Sequence, residues 1–124
     1  MARILIIDDD NEARAGLRRL LESEGHDVEE ASDGSQALRR FAGSPADVVF
    51  TDIFMPRMDG LEFVMRLRET FPEAPIVAMS GGGHLEAEPV LHAADALGVV
   101  RSLAKPLTRD AVREALEVAL DALD

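Results

Sequence analysis

The stretch DVVFTDIFMPRMDG, Asp47 to Gly60, decides the fold. Val48, Val49 and Phe50 form a short apolar, β-prone run suited to a strand buried on both faces. Asp52 stands where the run stops, and Pro56 with Asp59-Gly60 marks the chain turning away. Open α/β sheets take their ligands at the rim beyond the carboxyl ends of their strands, so a carboxylate there is a candidate functional group. Alone, Asp52 would read as an ordinary loop residue, because turns favour Asp. The rest of the chain changes that reading.

Upstream, Arg3 to Ile7 (RILII) reads as a second buried, central strand, followed at once by Asp8-Asp9-Asp10-Asn11. Ala13, Leu17, Leu20 and Leu21 then fall at helical spacing, with Gly25 as the stop. Asp27 to Ala31 is a short strand, and Ser35 to Phe41 a helix that turns Ala37, Leu38 and Phe41 inward. Downstream, Gly60 to Phe71 reads as a helix carrying Leu61, Phe63, Val64, Leu67 and Phe71, stopped by Pro72 and Pro75. Ile76 to Met79 is the fourth strand, ending at Ser80, and Gly81-Gly82-Gly83 follows. A helix is expected from Pro89 to Leu97 and a fifth strand over Val99 to Leu103, leading into Lys105-Pro106. Thr108 caps a last helix whose inner face is Val112, Ala115, Leu116, Ala119 and Leu123. This strict alternation predicts an α/β fold: a doubly wound, five-stranded parallel sheet with helices on both faces. No linker or repeat divides it, so residues 1–124 are expected to form one domain.

Composition narrows the function. A net charge of −11, from 13 basic and 24 acidic residues, weighs against direct nucleic-acid binding and against anionic membrane surfaces. No apolar run approaches the roughly 18 residues of a membrane span. The absence of cysteine removes disulfide and thiol chemistry and is consistent with a cytoplasmic protein. Twelve of the basic residues are Arg; Lys105 is the sole lysine.

In a parallel sheet all carboxyl strand ends share one edge. Asp8 and Asp9 after strand one, Asp52 at strand three, Ser80 at strand four and Lys105 at strand five are therefore expected to meet there. Two unit charges about 4 Å apart repel by roughly 4 kcal/mol at an effective dielectric near 20. Such a cluster must take up a proton or bind a hard divalent cation. Oxygen ligands with no Cys or His beside them favour Mg²⁺ over zinc. A carboxylate beside Mg²⁺, a hydroxyl and an ammonium is equipped for phosphoryl transfer.

With these residues placed, the chain resembles response-regulator receiver domains, the phosphorylated modules of two-component signalling systems. ILIIDDD (Ile4–Asp10), DVVFTDIFMPRMDG, MSG (Met79–Gly81) and LAKP (Leu103–Pro106) match the family's motifs in order and spacing over essentially the whole length. The resemblance implies a (βα)5 flavodoxin-like receiver fold in which Asp52 accepts a phosphoryl group from a histidine kinase or phosphotransfer protein. It implies that Asp9, Asp52 and the backbone carbonyl of Phe54 hold Mg²⁺, with Asp8 assisting through water. Lys105 and Ser80 would contact the phosphoryl oxygens, and the Lys105-Pro106 peptide would be cis. The implied output is a surface switched for a downstream effector protein. A receiver is not a turnover enzyme; it catalyses its own phosphorylation and dephosphorylation.

Three positions depart from the family pattern. Ser102 stands where receivers carry an aromatic residue, three positions before the lysine. Phe54 and Gly82 occupy the places from which side chains orient the hydrolytic water, which implies a long-lived phosphorylated state. The rival enzyme class is a Mg²⁺-dependent aspartyl-phosphate phosphatase, but that chemistry wants a second Asp where Phe54 stands. A flavin carrier of the same fold is disfavoured, because this chain has no Trp or Tyr and no phosphate-cradling Ser/Thr loop after strand one. His84, Glu88 and His92 fall four apart, yet Pro89 breaks their register, so they read as solvated. Receivers that stand alone and receivers cut from longer regulators both end as this chain does. A weak homodimer through the last two helices is offered by Val118 and Leu120, which fall off the inner stripe.

Overall fold

The computed structural model describes residues 2–53, 60–81 and 96–122. In chain order the elements are β1 (Arg3–Ile7), α1 (Asn11–Ser23), β2 (Asp27–Ala31), α2 (Gly34–Gly43), β3 (Val48–Asp52), α3 (Gly60–Thr70), β4 (Ile76–Gly81), β5 (Arg101–Lys105) and α4 (Arg109–Asp121). The five strands form one parallel sheet in the order β2-β1-β3-β4-β5. Strand order reverses after β1, between the first two units and the rest, which is where such sheets open a crevice.

Alternation along the strands explains why both faces are covered. Ile4 and Ile6 of β1 and Val48 and Phe50 of β3 point to one side, where Leu17 and Leu21 of α1 and Val112, Ala115, Leu116 and Ala119 of α4 meet them. Leu5, Ile7 and Val49 point to the other, against Ala37 and Phe41 of α2 and Phe63, Val64 and Leu67 of α3. All five residues of β3 are buried, so the decisive stretch is the centre of the sheet. Leu38, Leu61 and Phe71, expected inside, are half-buried at the margin of these clusters.

Local chemistry sets the helix ends. Asp10 caps α1, its Oδ1 accepting from the amides of Glu12 at 2.9 Å and Ala13 at 3.2 Å. Asp33 caps α2 through Gln36 N at 2.8 Å, while the Gln36 side chain reaches back to Ser32 N at 2.8 Å. Thr108 caps α4 through Ala111 N at 3.1 Å, as its position predicts. Gly25, with φ of 89°, reverses the chain after α1 at an angle few side chains tolerate.

The fifth strand departs from expectation. Val99 and Val100 are the apolar pair that suggested a start at Val99, but the ladder begins at Arg101, opposite Val77, and runs to Lys105, opposite Gly81. The two valines instead pack at the sheet margin as the chain comes in from Gly98, and Val100 N–H reaches Ile76 O at 2.8 Å. Strand four likewise continues through Ser80 to Gly81. Lys105 is therefore the last residue of a strand rather than part of the loop beyond it. The helix expected from Pro89 lies, except for its last two residues, outside the described residues, as do His84, His92, Gly82, Gly83 and Leu123. Leu120, one of the two residues offered to a second copy, packs half-buried against the core.

Burial at the amino end of the sheet carries a pH consequence. His26 Nδ1 accepts the Ala2 amide at 3.0 Å, which requires the neutral ring. Burial lowers its pKa below the ordinary 6.5, opposed in part by Glu24. A depressed folded-state value means that the unfolded chain binds the proton more readily. This contribution is thus complete above pH 6.5 and lost as pH falls through the folded value. Unfolding free energies from urea titrations are expected to fall more between pH 7 and 5 in the native protein than in His26→Gln, by under about 1 kcal/mol. Parallel curves would show that the hydrogen bond is not coupled to stability.

Candidate acidic site at the carboxyl edge of the sheet

Because the strands are parallel, four of their carboxyl ends deliver polar groups to one edge. Asp8 follows β1, Asp52 closes β3, Ser80 is the penultimate residue of β4 and Lys105 the last of β5. Asp8, Asp52 and Ser80 are 2%, 5% and 3% exposed, unusual values for such side chains. Asp9 is exposed. One carboxylate oxygen from each of Asp8, Asp9 and Asp52 lies within 4.8 Å of the others.

Lys105 ties this group together. Its Nζ donates to Asp8 Oδ2 at 2.7 Å and to Asp52 Oδ2 at 2.9 Å. Burial alone would push the Lys105 pKa down, but the hydrogen bonds and charges of Asp8 and Asp52 outweigh it and leave it raised. Asp8 Oδ1 accepts the Asp10 amide at 2.9 Å, so both of its oxygens are held. Three carboxylates against one ammonium leave a formal excess of two negative charges. An all-oxygen donor set with that excess fits a hard divalent cation.

Backbone packing fixes Asp52 from behind. The Ile53 amide donates to Met79 O at 2.9 Å, and the Gly60 amide closes back on Ile53 O at 3.0 Å. Gly60 lies so close that a Cβ there would sit 1.9 Å from Asp52 O. On the far side of the acidic group a cavity of about 370 Å³ opens between α1 and the Lys105–Leu107 segment, floored by Met79. The Lys105-Pro106 peptide is cis, as the resemblance implied.

Of the site residues expected from sequence, Asp8, Asp9, Asp52 and Lys105 come together, and Ser80 lies buried at the same edge. Phe54, whose carbonyl was expected as a ligand, lies outside the described residues. Ser102 is exposed on the edge strand β5, one residue from the half-buried Leu103. Sequence reading did not assign three further residues. Asp10, grouped with its neighbours as one acidic run, serves as a helix cap, a role the N-cap rule could have separated. Gly60 reads as a turn glycine, and nothing in sequence announces its contact with Asp52. Arg14 reads as a solvated helix residue, yet its guanidinium donates to Asp8 O at 2.5 Å.

Fold and site together define a doubly wound α/β protein with a lysine-bridged acidic pocket at its switch edge. Comparison with known proteins gives the family. The profile of the response regulator receiver domain matches residues 4–117. Among curated relatives, response regulator MprA of Mycobacterium sp. (strain KMS) is 45% identical over 78 residues, 63% of this chain and 34% of that protein. The chain thus spans about a third of the length of these relatives. A receiver domain protein from Clostridium thermocellum superposes with a TM-score of 0.87 at 29% identity, over 98% of this chain and 95% of that one. Chemotaxis response regulator CheY4 of Vibrio cholerae gives 0.86 at 30% identity, over 97% and 99%. The chain belongs to the response regulator receiver domain family of two-component systems.

No described helix is long and apolar enough to cross a membrane.

Proposed function

We propose that Asp52 is the phosphoacceptor of this receiver and that the phosphoryl group comes from a histidine kinase or a phosphotransfer protein. An Asp52 carboxylate oxygen attacks phosphorus, a P–O bond forms, the P–N bond of the donor phosphohistidine breaks, and its electron pair stays on the imidazole. The observation that supports this reading is the convergence of Asp8, Asp9 and Asp52 with the Lys105 ammonium, in a chain of the receiver family. Asp8, Asp9 and Asp52 would hold Mg²⁺, with the Phe54 carbonyl as a further ligand. When bound, the ion would neutralise charge on the phosphoryl oxygens. Lys105, released from Asp52 by the incoming group, follows the phosphoryl oxygens as a compact point cation. Ser80 supplies a hydroxyl at the same rim. The phosphorylated surface is read by a downstream effector protein in the cytoplasm. With Ser102 exposed where receivers carry an aromatic ring, the reading runs through other groups.

Incubation with acetyl phosphate and Mg²⁺ is expected to add one phosphoryl group by intact mass, and none in Asp52→Asn. Steady release of phosphate from a generic ester would point instead to the phosphatase class. Mg²⁺ at 100 times its dissociation constant is expected to stabilise the fold by about 2.7 kcal/mol. That gain should vanish in Asp9→Asn, and an equal rise in both proteins would remove Asp9 from the site.

A further inference from the structure

We propose that Arg14 is a positioning residue for the acidic cluster, fixing the Asp8–Asp9 peptide so that the carboxylates stand ready for a divalent cation. The inference rests on the reading that Asp8, Asp9 and Asp52 hold such an ion. Arg14 lies on the first turn of α1, and its side chain is only 14% exposed. Its three hydrogen bonds reach three different parts of the chain. Nη1 donates to the main-chain carbonyl of Asp8 at 2.5 Å, Nη2 to Asn11 Oδ1 at 2.6 Å, and Nε to Glu30 Oε1 on β2 at 2.9 Å.

The Asp8 carbonyl belongs to the same planar peptide as the Asp9 amide, so a bond that holds that oxygen sets the plane from which Asp9 projects. Asp8 is already fixed elsewhere, its amide by Ala31 O at 3.2 Å and its carboxylate by Asp10 N and Lys105. Asp9 is the exposed member of the cluster and follows a strand that has just ended. The guanidinium supplies the restraint this peptide receives from α1. Glu30 in turn holds Arg14 in place and accepts from Arg18 Nη1 at 2.5 Å, so it keeps a partner when Arg14 is removed. A planar fork that spans a carbonyl, an amide oxygen and a carboxylate cannot be replaced by a lysine ammonium.

Electrostatics alone predicts the opposite sign, which makes the test decisive. Deleting a positive charge beside three carboxylates should tighten the binding of a dication, whereas loss of positioning should weaken it. Outer-shell groups that orient metal ligands typically contribute 10- to 100-fold in affinity. Calorimetric titration of the whole chain with MgCl₂ is therefore expected to show affinity lower by about tenfold or more in both Arg14→Met and Arg14→Lys. Glu30→Gln, which keeps an oxygen acceptor for Arg14, is expected to lose less. Melting in EDTA separates a general loss of stability from a change in the metal site. Unchanged or tighter Mg²⁺ binding in folded Arg14→Met and Arg14→Lys would overturn the inference while leaving the cluster's own role intact. Native protein that binds no Mg²⁺, like an Asp9→Asn control, would overturn the metal reading itself. Should Arg14→Met fail to fold, Arg14→Lys with Glu30→Gln carries the same comparison.

Discussion

Lys105→Met is expected to destabilise the protein by about 3 kcal/mol at neutral pH without divalent cations, the low end for breaking a buried ion pair. The reason is what remains. Asp8 and Asp52 lose the ammonium that bridges them, inside a site where both are almost wholly buried. Asp8 keeps the Asp10 amide, which places the cost at the low end. Two treatments should restore stability, each by removing the excess negative charge: Mg²⁺, and the second substitution Asp8→Asn. Urea unfolding of the three proteins (native, Lys105→Met, and Lys105→Met with Asp8→Asn), with and without Mg²⁺, measures this. Equal midpoints for native and Lys105→Met in EDTA would mean that the carboxylates are relieved by another route. The native protein carries the complementary alkaline signature. Because the Lys105 pKa is raised in the fold, its contribution is complete below the ordinary 10.5 and fades as pH climbs through the folded value.

Gly60→Ala is the second large effect. The added methyl would meet Asp52 O at 1.9 Å, Ile53 Cα at 2.7 Å and Asp52 C at 2.8 Å. All three atoms are main chain at the end of the central strand, so no side chain can swing aside. Overpacking in yielding surroundings costs about 1–3 kcal/mol, and here the neighbours do not yield. The expected loss is therefore at or above about 3 kcal/mol, with Asp52 displaced. Amide spectra of any folded fraction should shift at Thr51 to Ile53 and at Met79, whose carbonyl receives the Ile53 amide. Labelling of Asp52 by acetyl phosphate should fall more steeply than the folded fraction does. A variant with native stability and native labelling would show that α3 can start elsewhere.

These two residues mark the limits of what the chain declares. Strand alternation and helical stripes are periodic signals spread over many residues, so the order of elements and both core faces are legible from sequence. The carboxyl edge is legible too, because a parallel sheet must bring Asp8, Asp52, Ser80 and Lys105 to one side. The start of β5 was not, since Val99 and Val100 look like strand and owe their burial to the sheet margin. A ladder depends on the partner strand, which local hydropathy does not see. Arg14 escaped for a related reason. Its position among α1's off-stripe residues marks it as solvent-facing, yet a long side chain can leave its own helix face and end on the backbone of another element. The Gly60 contact is likewise a distance between two chain segments, not a property of either.

Among the described residues, the exposed ion pairs and the enclosed Lys105 bridge obey different variables. Arg66–Glu62 and Arg101–Glu114 lie largely in water, and Arg109 and Arg113, bonded to the half-buried Glu24, are themselves about half exposed. Mobile ions screen such pairs within about 8 Å at physiological ionic strength. The Lys105 bridge is enclosed, and the surrounding electrolyte reaches it weakly. Added sodium chloride is thus expected to loosen these outer pairs and to leave the pocket as it was. On the proposed reading of the pocket, a dication is expected to act the other way, because a small ion of high valence gains enough to enter among the carboxylates. The expected contrast is a surface that responds to ionic strength and a pocket that responds to valence.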